Sequence, residues 1–229
     1  MEKVSAELKQ LLLGQGASLV GFGDISELIN KQECDMKYGV SVVVSMTPSI
    51  VKNIENGPTE EYYLEYIRLN SLLDHLVING ATFLESKGFK ALAQTTTSVK
   101  EFDNYRTLIP HKSFATRAGI GWIGKCALLV TEEYGSAIRI SSILTNAPLE
   151  VSAPINCAKC HSCMVCVNAC PAGAASGDEW NVKKDRDEFF NPVLCRTQAR
   201  VRAAKIGIES TICGKCIQVC PYTQQYINK

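Results

Sequence analysis

The chain has 229 residues, of which 46% are hydrophobic and 21% are charged, and its formal net charge is +1. This composition is typical of a globular protein, and the near-neutral charge argues against the concentrated basic surface that nucleic-acid or membrane binding usually needs. There is no run of 18 apolar residues and no apolar leader followed by a cleavage site, so we expect a cytoplasmic protein that does not bind membranes.

The first part of the chain predicts a sheet covered by helices. The expected elements are a helix at 4–13, a strand at 17–22, a strand at 38–46, a long helix that ends at Gly88, and a strand at 90–94. The run Val40-Ser41-Val42-Val43-Val44 is β-branched and almost continuously apolar, which is typical of a strand buried on both faces. We therefore expect helices on both sides of the sheet.

The next segment predicts a short helix, a glycine-rich loop and a hairpin. Residues 113–118 favour a helix. Residues 127–131 and 136–144 favour two strands, which residues 132–135 would join as a hairpin. These elements complete a mixed α/β domain.

The composition changes near residue 150. After Asn146-Ala147-Pro148 the chain becomes rich in cysteine, small residues and turn formers, so we expect an α/β domain at 1–150 and a smaller domain at 151–229. Nine of the eleven cysteines lie between Cys157 and Cys220. Clustered cysteines in a chain without an export signal usually bind metal, because a reducing cytosol disfavours disulfides.

The cysteine spacing predicts two [4Fe-4S] clusters. A run C-x2-C-x2-C-x3-C-P begins at Cys160, and in such runs the first three thiolates hold one cluster while the fourth binds the other. A second group repeats the pattern from Cys213 without its first cysteine, which Cys195 replaces. The predicted ligands are Cys160, Cys163, Cys166 and Cys220 for one cluster, and Cys170, Cys195, Cys213 and Cys216 for the other.

A zinc site is the alternative for these cysteines. Zinc also binds C-x2-C pairs, but two interleaved groups exceed the four ligands that one zinc takes. Cys157 lies one C-x2-C step before Cys160 and could replace it, but Cys160 already completes the run, so we assign Cys157 as a spare. Cys34 and Cys126 are expected to be small buried hydrophobes.

The glycine-rich loop Gly119-Ile120-Gly121-Trp122-Ile123-Gly124-Lys125-Cys126 matches G-x-G-x-x-G and nearly matches a P-loop. Both motifs must follow a strand and begin a helix, whereas this loop follows a predicted helix and precedes a predicted strand. We therefore expect the glycines to admit a large flat group, or simply to form a bend. His111, ahead of this loop, is our candidate for a functional histidine, with a structural role as the alternative.

The segment from His111 to Lys125, the segment Leu144-Thr145-Asn146-Ala147-Pro148-Leu149 and the two cysteine groups together resemble the epoxyqueuosine reductase family. The resemblance implies an α+β architecture, with a nitroreductase-like mixed α/β sandwich domain followed by a small ferredoxin-like double [4Fe-4S] cluster module. In this family and in the related reductive dehalogenases, the α/β domain holds a corrinoid that receives electrons from the clusters.

The resemblance implies a reductase that passes electrons from a donor such as ferredoxin or flavodoxin, through the clusters, to a corrinoid (cobalamin) or a small-molecule acceptor. The corrinoid would bind against Arg117, Gly119, Gly121, Trp122, Gly124 and Lys125, with His111 nearby. Two alternatives stay open. One is an electron carrier or partner subunit without its own substrate, and the other is a flavin-dependent reductase, since nitroreductase-like domains commonly carry flavin.

Two departures from the family pattern limit these implications. The family places its catalytic acid in a D-x-x-P segment ahead of Arg117, where this chain has Tyr105-Arg106-Thr107. Asp103 is near but out of register, so the catalytic residue stays unknown. The family also commonly continues into a helical-repeat tail that helps to hold tRNA, whereas this sequence stops at Lys229, so we do not expect a tRNA substrate.

Overall fold

The structure is a computed structural model that describes residues 2–29 and 35–229. Its helices are α1 (Glu2–Gly14), α2 (Pro48–Lys52), α3 (Glu60–Ser86), α4 (His111–Arg117), α5 (Val165–Asn168), α6 (Pro192–Ala204), α7 (Lys215–Gln218) and α8 (Pro221–Ile227). Its strands are β1 (Leu19–Asp24), β2 (Tyr38–Ser45), β3 (Ala91–Gln94), β4 (Trp122–Ile123), β5 (Leu129–Val130) and β6 (Ile138–Thr145). The predicted mixed α/β architecture is confirmed. Within these described ranges, no helix has the length and apolar character needed to cross a bilayer.

One four-stranded sheet has the order β1-β2-β6-β3, and β4 pairs with β5 in a separate two-stranded ribbon. β2 is buried continuously from Gly39 to Val44, as its apolar run predicts. It pairs antiparallel with β1, where Phe22 lies opposite Val40. α1 packs on β1, and α4 packs on both β1 and β2. The burial of β2 on both faces explains why helices must cover the sheet.

The long helix α3 begins at a capping residue. The Thr59 Oγ1 accepts a hydrogen bond from the Tyr62 N–H at 3.2 Å, which satisfies one free donor of the first turn. Farther along, a Cβ atom on Gly80 would lie 2.6 Å from Cδ1 of Ile143. The glycine therefore allows α3 to pack very closely against β6.

The predicted hairpin between residues 127–131 and 136–144 is wrong. β5 pairs with β4, whereas β6 pairs with β3. The connecting turn closes on itself, because Thr131 and Gly135 exchange backbone hydrogen bonds of 2.9 and 3.0 Å. The true partner, β4, has only two residues and is too short to show a periodicity in the sequence.

The described residues form two compact units whose segments alternate along the chain. The first unit combines the residues up to Ser45 with Leu69–Gly121 and Arg139–Ile155, and the second combines Met46–Arg68, Trp122–Ile138 and Asn156–Lys229. The last division follows Ile155, and the β4–β5 ribbon and the segment from Met46 belong to the cysteine-rich unit.

In the first unit, β1 and the end of α4 are in backbone contact. A Cβ atom on Gly23 would lie 2.6 Å from the carbonyl carbon of Arg117 and 2.7 Å from the backbone nitrogen of Ala118. Backbone atoms cannot swing aside as a flexible side chain can, so only glycine fits here. This contact fixes the start of the glycine-rich loop against the sheet.

Replacing Gly23 by alanine should lower the free energy of unfolding by about 1–3 kcal/mol, the usual cost of overpacking a close contact. Gly14→Ala is the matched control, since a Cβ atom there meets nothing within 4 Å. Urea denaturation followed by circular dichroism measures both changes. Equal stability of the two variants would show that β1 and α4 are not tightly packed at Gly23.

His111, the first residue of α4, is largely buried and contacts β6. Its Nδ1 lies 2.7 Å from the Ser142 Oγ, a hydrogen-bonding distance. Burial, with a smaller contribution from the Arg139 charge, lowers the pKa of His111 from 6.5 to about 4. The imidazole is therefore neutral near pH 7, which suits a structural polar group.

This pKa shift should make the stability of the protein sensitive to mild acid. The unfolded chain binds the proton below pH 6.5, but the folded chain does so only near pH 4, so stability falls as the pH drops through this window. Between pH 7.5 and 5.5 the wild type should lose about 1.4 kcal/mol more unfolding free energy than His111→Gln. Anaerobic urea denaturation at a series of pH values measures the difference, and parallel pH profiles would contradict it.

Candidate metal centre

A tight hairpin tip, residues 124–128, connects β4 to β5 in the cysteine-rich unit. The Gly124 N–H donates to the Leu128 carbonyl and the Ala127 N–H donates to the Gly124 carbonyl, both at 2.8 Å. Ala127 has a φ of 59°, in the left-handed region that is uncommon for a residue with a Cβ atom. Within this constrained tip, Lys125 and Cys126 are both buried.

Lys125 ties the hairpin tip to the first cysteine run. Its Nζ donates to the His161 carbonyl at 2.7 Å and lies 3.5 Å from the Met164 Sδ. Both partners lie between Cys160 and Cys166, and only 4% of Lys125 is exposed. The buried ammonium group therefore holds the segment that carries Cys160, Cys163 and Cys166 against the hairpin tip.

Trp122 lies in the core of the same unit and packs edge-on against Tyr222, with ring centroids 5.0 Å apart. Its side chain is fully buried, and its indole N–H has no hydrogen-bond partner among the residues that the structure describes. Burial raises the pKa of the Cys160 thiol, while the Lys125 N–H and the indole of Trp122 oppose the rise. A buried donor needs an acceptor, and a thiolate at Cys160 is in a position to serve.

The thiols of the first predicted ligand set lie near one another. After burial, the neighbouring Cys166 and Cys163 thiols also raise the pKa of Cys160. The Cys166 and Cys160 thiols likewise raise the pKa of Cys220. Burial raises the pKa of Cys220, and the backbone N–H groups at the start of α8 partly offset that rise. Cys220, from the second cysteine group, thus lies beside the cysteines of the first run.

The second predicted set surrounds a small, almost entirely apolar cavity. The cysteines that line it are Cys126, Cys166, Cys170, Cys195, Cys213 and Cys216. Burial, followed by the neighbouring Cys170 and Cys213 thiols, raises the pKa of Cys195 to about 11. The Ala174 N–H donates to the Cys170 Sγ at 3.4 Å. Cys170, from the first run, therefore lies among the cysteines of the second.

The eight predicted ligands exceed the four that one zinc ion takes. Thiols that surround a cavity and face N–H donors suit an iron–sulfur cluster. The pKa values of Cys160, Cys195 and Cys220 are raised, so these three thiols are protonated without iron and cluster binding must release their protons.

Cys157 and Cys126 occupy opposite environments. Cys157 is exposed and forms an isolated β-bridge with Asn181. Cys126 is buried, as expected for a small hydrophobe, but it lies among thiols. Spacing alone could not reveal this, because the hairpin tip is far in sequence from the cysteine runs. Cys34 lies outside the described residues.

The glycine-rich loop runs from α4 into the β4–β5 ribbon, and its cationic residues are buried and paired. Arg117 is 6% exposed, forms an ion pair with Glu27 and donates to the Ile155 carbonyl at 3.2 Å. A Cβ atom on Gly119, whose φ is 67°, would lie 2.8 Å from the Ala153 carbonyl oxygen. The space that this glycine provides is filled by the chain's own backbone.

The other residues predicted to bind an organic cofactor are also turned inward. Gly121, Trp122, Gly124 and Lys125 are buried, and His111 is engaged by Ser142. Trp122 is a core residue, as the alternative interpretation expected, but Arg117 and Lys125 are paired rather than solvated. Each of these side chains is therefore buried or already engaged by another residue of the chain.

An exposed turn lies where the family pattern calls for an acid. Asp103 begins the turn, and Asn104 and Tyr105 have positive φ values of 57° and 55°. Phe102 and Leu108 on either side are 60% and 86% exposed. The Asp103 side chain faces solvent, so we assign it no catalytic role.

Comparison with known proteins agrees with the cysteine geometry. The family described as the 4Fe-4S double cluster binding domain matches residues 159–223, which include all eight predicted ligands. Epoxyqueuosine reductase from Listeria monocytogenes is 48% identical over 120 residues, which cover 48% of this chain and 28% of that protein. The enzyme from Synechocystis is 29% identical over 120 residues, covering 52% and 41%. The chain thus matches less than half of the length of these relatives.

Solved structures share the fold at low identity. An epoxyqueuosine reductase crystallised with an epoxyqueuosine-modified tRNA stem loop has a TM-score of 0.64 and 20% identity, with 97% of this chain and 66% of that chain covered. A catabolic reductive dehalogenase in complex with 3-bromo-4-hydroxybenzoic acid has a TM-score of 0.71 and 16% identity, covering 94% and 31%. The chain is thus similar to the epoxyqueuosine reductases over about half of its length and shares their fold, and its residues 159–223 match the 4Fe-4S double cluster binding domain.

Proposed function

We propose that the protein is an iron–sulfur oxidoreductase that passes electrons through two [4Fe-4S] clusters. One cluster is held by Cys160, Cys163, Cys166 and Cys220, and the other by Cys170, Cys195, Cys213 and Cys216. The proposal rests on the way the two cysteine groups share ligands, since each cluster takes one cysteine from the other group. Cys220 lies beside Cys160, whereas Cys170 lies beside Cys195. A two-cluster ferredoxin run is expected to share ligands in this way, because its fourth cysteine binds the other cluster.

The surroundings of the two sets differ. When bound, the clusters supply one-electron chemistry. The backbone N–H of Lys125 and the indole of Trp122 lie beside Cys160 of the first set and favour its thiolate form. The cavity of the second set has an apolar wall that includes Phe190, and Lys215 also lines it.

The electron donor is proposed to dock at α6, which carries Cys195. This helix contains three arginines and no acidic residue, and Arg200 is exposed on it. Val193, Leu194 and Val201 are each close to half exposed on the same helix. A surface that combines apolar and basic side chains suits an acidic one-electron carrier such as ferredoxin or flavodoxin.

We propose two alternative acceptors for the electrons that leave the clusters. Similarity to the epoxyqueuosine reductases and reductive dehalogenases favours a corrinoid or small-molecule acceptor; one related structure is described as suggesting a mechanism for B12-dependent dehalogenation. The burial of Trp122 and the pairing of Arg117 favour the second candidate, an electron carrier or partner subunit with no organic cofactor of its own. The two candidates share the clusters and differ in the acceptor.

The cluster assignment predicts the iron content. Anaerobically reconstituted protein should contain about eight iron atoms and about eight acid-labile sulfides per chain, and reduction by dithionite should be reversible. Cys163→Ala and Cys213→Ala should each remove about half of the iron, because each takes a ligand from one cluster only. Cys157→Ala is the matched control and should keep the full content. Colorimetric iron and sulfide analysis measures these values; zinc in place of iron would contradict the assignment.

A corrinoid titration separates the two candidate functions. If the acceptor is a corrinoid, cob(II)alamin should change its electron paramagnetic resonance spectrum on mixing and should remain with the protein through anaerobic gel filtration. An unchanged spectrum and complete separation, with both clusters still reducible, would favour the electron carrier. A yellow chromophore released from freshly purified protein by denaturation would instead identify a flavin.

A further inference from the structure

The eight-ligand assignment leaves one thiol of the cluster cavity unused. Cys126 lines the same cavity as five of the assigned ligands. The thiols of Cys166 and Cys216, which also line this cavity, are its electrostatic neighbours. Since these two residues belong to different ligand sets, Cys126 lies close to both sets.

The hairpin tip fixes this thiol in place. Gly124 lies beside the first run, since a Cβ atom there would be 3.7 Å from the Cys160 Sγ. The Lys125 Nζ donates a hydrogen bond to the His161 carbonyl at 2.7 Å. The next residue, Cys126, lies beside the Cys166 thiol. Three consecutive residues of the tip thus contact the cysteine segment. The left-handed conformation that follows, at Ala127, turns the chain back into β5.

Packing alone does not account for a cysteine at this position. A buried cysteine usually serves as a small hydrophobe, and another small apolar residue would fill the same space. The neighbours of Cys126 in the cavity are the thiols of assigned ligands, however, and a thiol in such a position can itself bind iron once it loses its proton. The surroundings are those of a metal ligand rather than of a core residue.

We propose that Cys126 is a ninth iron-ligating thiol, which takes over an iron atom when Cys166 or Cys216 is lost as a ligand. The inference rests on the cluster assignment proposed above. Because Cys126 lies close to both sets, a single reserve thiol serves both clusters.

The step is a ligand exchange without a change of oxidation state. The iron–sulfur bond to Cys216, or to Cys166, breaks and a bond from iron to the Cys126 sulfur forms. The proton of the Cys126 thiol passes to the departing thiolate. Atoms and charge balance, and no oxidant or reductant is needed.

The test compares the iron content of matched cysteine variants after anaerobic reconstitution. Cys166→Ala and Cys216→Ala should each keep about eight iron atoms per chain, as two cubanes require. Adding Cys126→Ala to either should reduce the content to about four, the iron of one cubane. Cys163→Ala is the control, because Cys163 does not line the cavity that contains Cys126. It should fall to about four whether or not Cys126 is present, since one cubane is lost in both cases.

Mössbauer spectroscopy adds a measurement that is independent of activity. In Cys216→Ala all irons should retain tetrahedral sulfur ligation, because the sulfur of Cys126 replaces the missing ligand. Loss of half of the iron from folded Cys166→Ala and Cys216→Ala would overturn the inference. If an alanine variant does not fold, as judged by circular dichroism, the valine variant, whose side chain cannot bind iron, replaces it with the same expected outcomes. A wild type with only about four irons would instead overturn the underlying cluster assignment.

Discussion

Thiols that are buried side by side cannot ionise together unless positive charge or hydrogen-bond donors compensate them. Burial and neighbouring sulfur raise the pKa values of Cys160, Cys195 and Cys220, so each of these thiols resists becoming the thiolate that iron requires. Binding to iron offsets most of the free energy needed to ionise these thiols, and groups of the protein must offset the rest. The backbone N–H of Lys125, the indole of Trp122 and the backbone N–H groups at the start of α8 meet that need.

This constraint explains why the cysteine-rich unit is more than its cysteine segment. A short chain dominated by turns and ligands has little apolar material for a core of its own. The β4–β5 ribbon supplies Trp122 for the core and Lys125 for the hydrogen bond to the His161 carbonyl. The turn that follows β5 is also held closely, because a Cβ atom on Gly135 would lie 2.2 Å from the Thr223 nitrogen. The Ser136 N–H also donates to the Thr223 Oγ1 at 3.0 Å.

The sequence predicted the features that rest on local patterns. The buried β2, the α4 helix and the cysteine runs were all visible, because each depends on residues close together in the chain. The pairing of β5 with β4 was not, since a two-residue strand has no detectable period and the alternative partner follows directly. The placement of Cys126 among the thiols depends on a contact between distant segments. The pairing of Arg117 with Glu27 is likewise long-range, so the loop looked available for a cofactor.

The closure of the Gly135 turn against α8 bears on how the protein is made. During translation the ribbon emerges well before Thr223, so its inward-facing side chains must wait for the C-terminal segment before they are covered. Contacts between such distant segments form slowly, because a long loop must be closed before they give any stabilisation. Until then Trp122 and Cys126 are exposed to solvent and to oxidants. Cluster delivery to the nascent chain is therefore expected to follow synthesis of α8, with the thiols kept reduced in the interval.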